Sequence, residues 1–155
     1  MKYFHTITIT VFSKQEENAE EIKEALKRFI TTDLEKEKIT LKEEEATGFD
    51  NKKITILTLK LTKQKHIKQF LKELFSKFTK MQEQQLIDEL NTRVDEECFF
   101  YLRLDKESWM NKEKIFIIDG GNCFHIKFKI ASYPCNKERA KITIQDFLQN
   151  IFKDK

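Results

Sequence analysis

Glycine, proline and cysteine are scarce in this chain: three Gly, one Pro and three Cys in 155 residues. So few glycines leave no glycine-rich loop to cradle phosphates, and neither a phosphate loop nor a dinucleotide fingerprint is present. The scarcity of Gly and Pro favours well-formed elements with short connections. Cys98, Cys123 and Cys135 are odd in number and form no C-x-x-C pair, so they read as reduced thiols rather than a disulfide framework. A zinc site from these and His125 matches no standard ligand spacing, so no metal and no cofactor is expected. His5, His66 and His125 have no nucleophile–base partner at a recognisable spacing. No apolar run approaches membrane-spanning length, and the N-terminus has no signal-peptide pattern. The expectation is a cytoplasmic protein with no membrane partner.

What is present is charge and phenylalanine. Charged residues make up 35% and apolar residues 39%, with 14 Phe against one Trp and three Tyr. A chain of this size forms one domain, taken as residues 1–155, with a real core. Of the 29 basic residues 25 are Lys, yet the net charge is only +3. Any affinity for an anionic partner therefore has to come from where the charges lie.

Phe99 to Leu104 organises the reading. Alternation puts Phe100, Leu102 and Leu104 on one face of a strand and Tyr101 and Arg103 on the other. Upstream, Lys2 to Phe12 has a period of two, with Ile7, Ile9 and Val11 inward and Thr6, Thr8 and Thr10 outward. Ser13 with Glu16, or Asn18 with Glu21, starts a helix running to about Ile30. Ile39 and Leu41 begin a second strand. Thr47–Asn51 forms a hairpin turn into a third, Lys53 to Leu61. There Ile54 and Ile56 oppose Leu57, Leu59 and Leu61, which means a bulge or burial on both sides. Thr62 caps a helix to Phe78, and a shorter helix follows over about 81–90.

After the central strand, 106–114 holds one helical turn. Ile115–Ile118, the 119–122 turn and Cys123–Ala131 form a second hairpin. Its last strand has Phe124, Ile126, Phe128 and Ile130 inward and His125, Lys127 and Lys129 outward. Asn136 caps a final helix. The order β-α-β-β-α-α-β-β-β-α, with hairpins and single-striped helices, gives a two-layer α+β sandwich. Its sheet is mainly antiparallel, with helices packed on one face and the other face open.

The open face then carries Tyr101, Arg103, His125, Lys127 and Lys129, with no acid in its strand centres. An aromatic ring beside a guanidinium and lysines has the means to stack on bases and hold phosphates. A solvated antiparallel face is the ordinary alternative, since Thr, Lys and Arg are common there. A second function class is a protein-interaction subunit docking on a ribonucleoprotein complex. A third is a metal-dependent nuclease using Asp95, Glu96 and Asp105. Three acids before a strand, however, are more often a solvated turn.

Arg93-Val94-Asp95-Glu96, followed by Tyr101-Leu102-Arg103-Leu104-Asp105-Lys106, resembles the central motif of an archaeal family of RNA-binding, exosome-subunit-like proteins. Leu61–Lys65 through Phe70, Gly48, and Ile126–Ile130 followed by Tyr133-Pro134 agree with it. The resemblance covers essentially the whole chain. Phe49–Lys53 departs from that family's Gly-Asn-Pro-like turn, and Cys98-Phe99-Phe100 from a Gly-Asn pattern. The resemblance implies a fold like that of the ribosomal protein that binds 5S rRNA, and no catalytic activity. It also implies RNA and RNA-processing proteins as partners. It adds Arg93 as an RNA contact beside Tyr101, Arg103, His125, Lys127 and Lys129.

Overall fold

The computed structural model describes residues 2–154. The chain is α+β, with a five-stranded antiparallel sheet in the order β2-β3-β1-β5-β4 and six helices, as expected for a two-layer sandwich. The strands are β1 (Phe4–Lys14), β2 (Leu41–Thr47), β3 (Lys53–Leu61), β4 (Phe99–Asp105) and β5 (Cys123–Ile130). The helices are α1 (Ala19–Lys27), α2 (Gln64–Ser76), α3 (Lys80–Asp88), α4 (Leu90–Arg93), α5 (Lys106–Lys112) and α6 (Lys137–Lys153). The chain divides into two compact units, each assembled from separate segments. Among the described residues, the first comprises 2–7, 62–102 and 127–154; the second comprises 8–61 and 103–126.

The first unit is built on phenylalanine. Phe100 and Phe128, inward by alternation on β4 and β5, are fully buried with Phe4. Phe128 meets Phe4, Phe70, Phe75 and Phe100 at ring-centroid distances of 5.1–6.5 Å. The apolar stripes of α2 and α6 supply Phe70, Phe75 and Phe147 to this cluster. Thr79 caps α3 through a capping box with Gln82, and Asn136 caps α6 by accepting from the Arg139 N–H. The cap expected from Thr62 on α2 is not made. Lys63 stands at that position, and its side chain forms no capping bond.

The second unit packs α1 and α5 beneath its strands. Of the two possible starts for α1, Asn18 is the one used: its Oδ1 accepts from the N–H groups of Glu20 and Glu21. Ile22, Ala25 and Leu26 are its buried stripe. Trp109 of α5 stacks on Phe29 at 4.1 Å and donates its indole N–H to the Ala25 carbonyl. β2 and β3 pair in unbroken register from Leu41↔Leu59 to Thr47↔Lys53, so no bulge interrupts them. Leu57 and Leu59 are buried inward, while Ile54 and Ile56 are half-buried on the other side. In the turn between these strands Asp50 and Asn51 take left-handed backbone angles, which their short polar side chains tolerate. A Cβ on Gly48 would meet Ile54 Cδ1 at 2.6 Å, so any larger residue there requires the end of the Ile54 side chain to shift.

Two further expectations are corrected. Residues 115–118 are not a strand of a second hairpin. They turn back along the end of β4 through a single Leu104↔Ile117 bridge, with the Asp105 and Ile118 N–H groups donating to the Phe116 and Arg103 carbonyls. Just before them, the Asp105 carboxylate caps α5 through the Ser108 N–H and hydroxyl, and that helix runs two turns where one was expected. The cysteines also depart from the reduced reading: Cys98 and Cys135 form a disulfide with Cα atoms 6.0 Å apart, and Cys123 is free. The two partners lie 37 residues apart, in turns that tertiary contacts bring together. Among the described residues no helix is long and apolar enough to cross a membrane.

Candidate functional site

The outward residues of the first unit gather around Phe99. Its half-buried ring lies under two ammonium groups, Lys127 Nζ at 4.0 Å and Lys129 Nζ at 4.5 Å from the ring centroid. Each such contact is worth roughly 0.5–1 kcal/mol at an exposed site, enough to bias where the lysines rest. Lys129 also donates to the Glu97 carbonyl at 2.7 Å. The Tyr101 ring lies 6.2 Å from Phe99, and its hydroxyl donates to Asp95 Oδ2 at 2.8 Å. The result is two neighbouring rings with two cations over one of them.

Asp95 is the bracket for this surface. Its Oδ1 accepts from the Glu97 and Phe99 N–H groups, closing the turn that delivers the chain into β4. Burial pushes its carboxyl up, but those N–H groups, the Tyr101 hydroxyl and the charge of Lys127 outweigh it. The net effect is a carboxyl held below its ordinary value. Desolvation, with a smaller contribution from the charges of Lys2 and Lys129, holds the His5 imidazole below its ordinary value. Arg93 does not join this surface. It is buried, and its Nε and Nη2 bond Glu89 Oε2 at 2.9 and 2.6 Å, an ion pair one helical turn apart.

Arg103 and His125 lie in the second unit. Together with Thr10, Val11, Phe12, Gly121, Asn122 and Cys123 they line a recess of about 330 Å³. Beneath it sits Lys106, a cation only 1% exposed. Its Nζ donates to the Phe12 carbonyl at 2.6 Å, to both Glu17 oxygens at 3.0 Å and to Asn122 Oδ1 at 3.3 Å. A buried charge requires such pairing. Glu17 responds in kind. Burial raises its carboxyl, but bonds and charge from Lys14 and Lys106 outweigh this and leave it below the ordinary value. Burial also pushes the Cys123 thiol up, against the lowering effect of Arg103 and Lys106.

The six residues singled out from the sequence thus divide. Tyr101, Lys127 and Lys129 surround one ring, Arg103 and His125 share one recess, and Arg93 belongs to the interior. The sequence reading does not single out Phe99, the ring at the middle of the candidate surface, or Lys106, the buried cation. Phe99 is signalled by extending the Tyr101–Arg103 alternation one step back. Nothing local signals the partners of Lys106. The carboxylates considered for metal chemistry have other duties, Asp95 in its turn and Asp105 as a helix cap.

Fold and surfaces together define an α+β protein with aromatic-basic patches on the outward side of its strands. A family model described as RNA binding matches residues 6–130, and the chain belongs to that RNA-binding family. Over 146 residues, 94% of either chain, it is 23% identical to the RNA-binding protein PAB1135 of Pyrococcus abyssi. Among solved structures, Mth689, a DUF54 protein from Methanothermobacter thermautotrophicus, is similar with a TM-score of 0.77 and 26% identity. That match covers 95% of this chain and 99% of the other. Protein SSO0741 from Sulfolobus solfataricus, at 18% identity, shares the fold, with a TM-score of 0.70 over 91% of this chain and 98% of its own.

Proposed function

We propose that the protein binds RNA without catalysing a reaction, and that the Phe99 surface is a principal contact. The observation that carries this reading is the pair of lysines over the Phe99 ring with Tyr101 alongside. Aromatic faces accept unstacked bases of any sequence, and lysines beside them take the phosphates. Tyr101 and Phe99 stack; Lys127 and Lys129 hold backbone oxygens. Arg103 and His125 contribute from the second unit, while Arg93 supports the fold. An association with RNA-processing proteins, the likeness to an exosome subunit and to the 5S-rRNA-binding ribosomal protein, and a cytoplasmic location belong to the same proposal. They rest on the family resemblance.

The test is fluorescence anisotropy of a single-stranded RNA across a salt series. Replacing Lys127 and Lys129 by Ala reduces the slope of log K against log salt by about 1.4, at roughly 0.7 per phosphate contact on single strands. Phe99→Ala weakens binding by about 1–3 kcal/mol, the worth of one stacked base, with little change in slope. Unchanged affinity and slope in both variants would remove this surface from the proposal.

A further inference from the structure

We infer that the recess in the second unit is a base pocket that takes one unstacked purine and prefers guanine. The inference rests on RNA binding as the protein's function. A volume of about 330 Å³ lies at the lower end of small-ligand sites (about 300–1,000 Å³), a size for one base rather than a folded element. Its walls are chemically asymmetric. Phe12 supplies a ring that is 54% exposed on the outward side of β1, a face on which a base can stack. Arg103 supplies a half-buried guanidinium with no hydrogen bond or ion pair to another side chain among the described residues.

Lys106 fixes two of the walls from beneath. It grips the Phe12 carbonyl with Nζ, and it holds Asn122 twice, through the backbone carbonyl and through Oδ1. With Oδ1 turned to the ammonium, the Asn122 amide offers its N–H groups as donors on its other side. The recess therefore presents donors from two sides, Arg103 and Asn122. Guanine meets donors with two acceptors, N7 and O6, in the arrangement an arginine fork matches; adenine places an N–H₂ group where O6 would be. Donors facing that group would find no acceptor in the recess, which is the basis of the discrimination.

Cys123 makes the test internal. It lines the recess and is the one free thiol among the described residues. Its alkylation by iodoacetamide without reductant, which leaves the Cys98–Cys135 disulfide intact, reports occupancy. The probes are uridine heptamers carrying a single central G or A, and guanosine 5′-monophosphate alone. The G heptamer is expected to slow alkylation more than the A heptamer. Arg103→Gln is expected to cost the G heptamer roughly ten- to a hundredfold in affinity, the worth of one bidentate contact, and to erase the G-over-A difference. If anisotropy shows both heptamers bound while Cys123 alkylates at its free rate, or G and A protect equally, the pocket is overturned and RNA binding stands. If no RNA binds, RNA binding as the function falls. The pocket then stands or falls on whether guanosine 5′-monophosphate slows alkylation. Should Arg103→Gln not fold, the wild-type G-versus-A comparison still decides.

Discussion

Lysine is used in opposite ways in the two units. In the first, Lys127 and Lys129 rest on the face of Phe99, and their charges contribute to the field outside. In the second, Lys106 is withdrawn from water and spent on Glu17, two oxygens of other residues and the closure of a wall. The difference is set by what each ammonium finds within reach. An aromatic face leaves a cation partly hydrated and exchangeable, whereas a carboxylate in a dry site fixes it. The same residue type, abundant throughout this chain, thus makes an outward contact in one place and a structural pin in the other.

That contrast can be broken at its strongest point first. Lys106→Met strips Glu17 and the Phe12 carbonyl of their partner. It is expected to cost about 3 kcal/mol, toward the lower end of the range for a broken buried pair, because Glu17 remains 26% exposed. Urea unfolding measures this, and a loss under about 1 kcal/mol, the scale of a surface pair, would make Lys106 no pin at all. Lys127→Met, in contrast, should leave stability within about 0.5 kcal/mol, as surface changes do.

Comparable in size is the disulfide of the first unit. It closes a 37-residue separation, for which chain-entropy arguments give up to about 4 kcal/mol, with measured values often smaller. Cys135→Ser or reduction should lower the unfolding midpoint accordingly. An unchanged midpoint would mean the turns at Cys98 and Cys135 are held by their hydrogen bonds alone.

The smallest effect is in pH, and both units share it. Asp95 and Glu17 are held below their ordinary values in the folded state. A carboxyl lowered by folding contributes stability that is complete above its unfolded value, about 4 for these groups. That contribution is lost as pH falls through the folded value. Urea midpoints should therefore decline below about pH 4, and Asp95→Asn should flatten part of that decline. Tyr101→Phe should flatten it less, since the two backbone bonds to Asp95 remain. An identical acid slope in Asp95→Asn would show that the bracket does not depend on charge.

Strand faces were legible because alternation is a local property. Phe100, Leu102 and Leu104, and Phe124 through Ile130, lie inward as read, and the helix stripes of α2 and α6 meet them. What was not legible is long-range. Lys106 finds Glu17 across 89 residues, and nothing in the spelling Asp105-Lys106 distinguishes a buried ammonium from a solvated one. The motif marks Arg93 as a contact, and nothing in it signals that Arg93 is buried in an ion pair with Glu89 one turn earlier. The apolar run at 115–118 reads as a strand, yet it makes a single bridge to β4, because its hydrogen-bond partners depend on where the chain leaves α5. The candidate surface was therefore half visible: its side chains could be named, but their grouping around Phe99 and around the recess required the fold.

The strict two-fold alternation of β4 has a consequence for how this chain can change over generations. Phe99, Tyr101, Arg103 and Asp105 share one side, and the three buried residues between them share the other. Substitution acts on one position at a time, and either side can drift by itself. Gaining or losing a single residue within the strand exchanges the sides wholesale, sending a guanidinium and a phenol into the interior while three apolar side chains go out to water. Differences in length among relatives should accordingly collect at the turns flanking β4, and its seven positions should vary in identity but never in number.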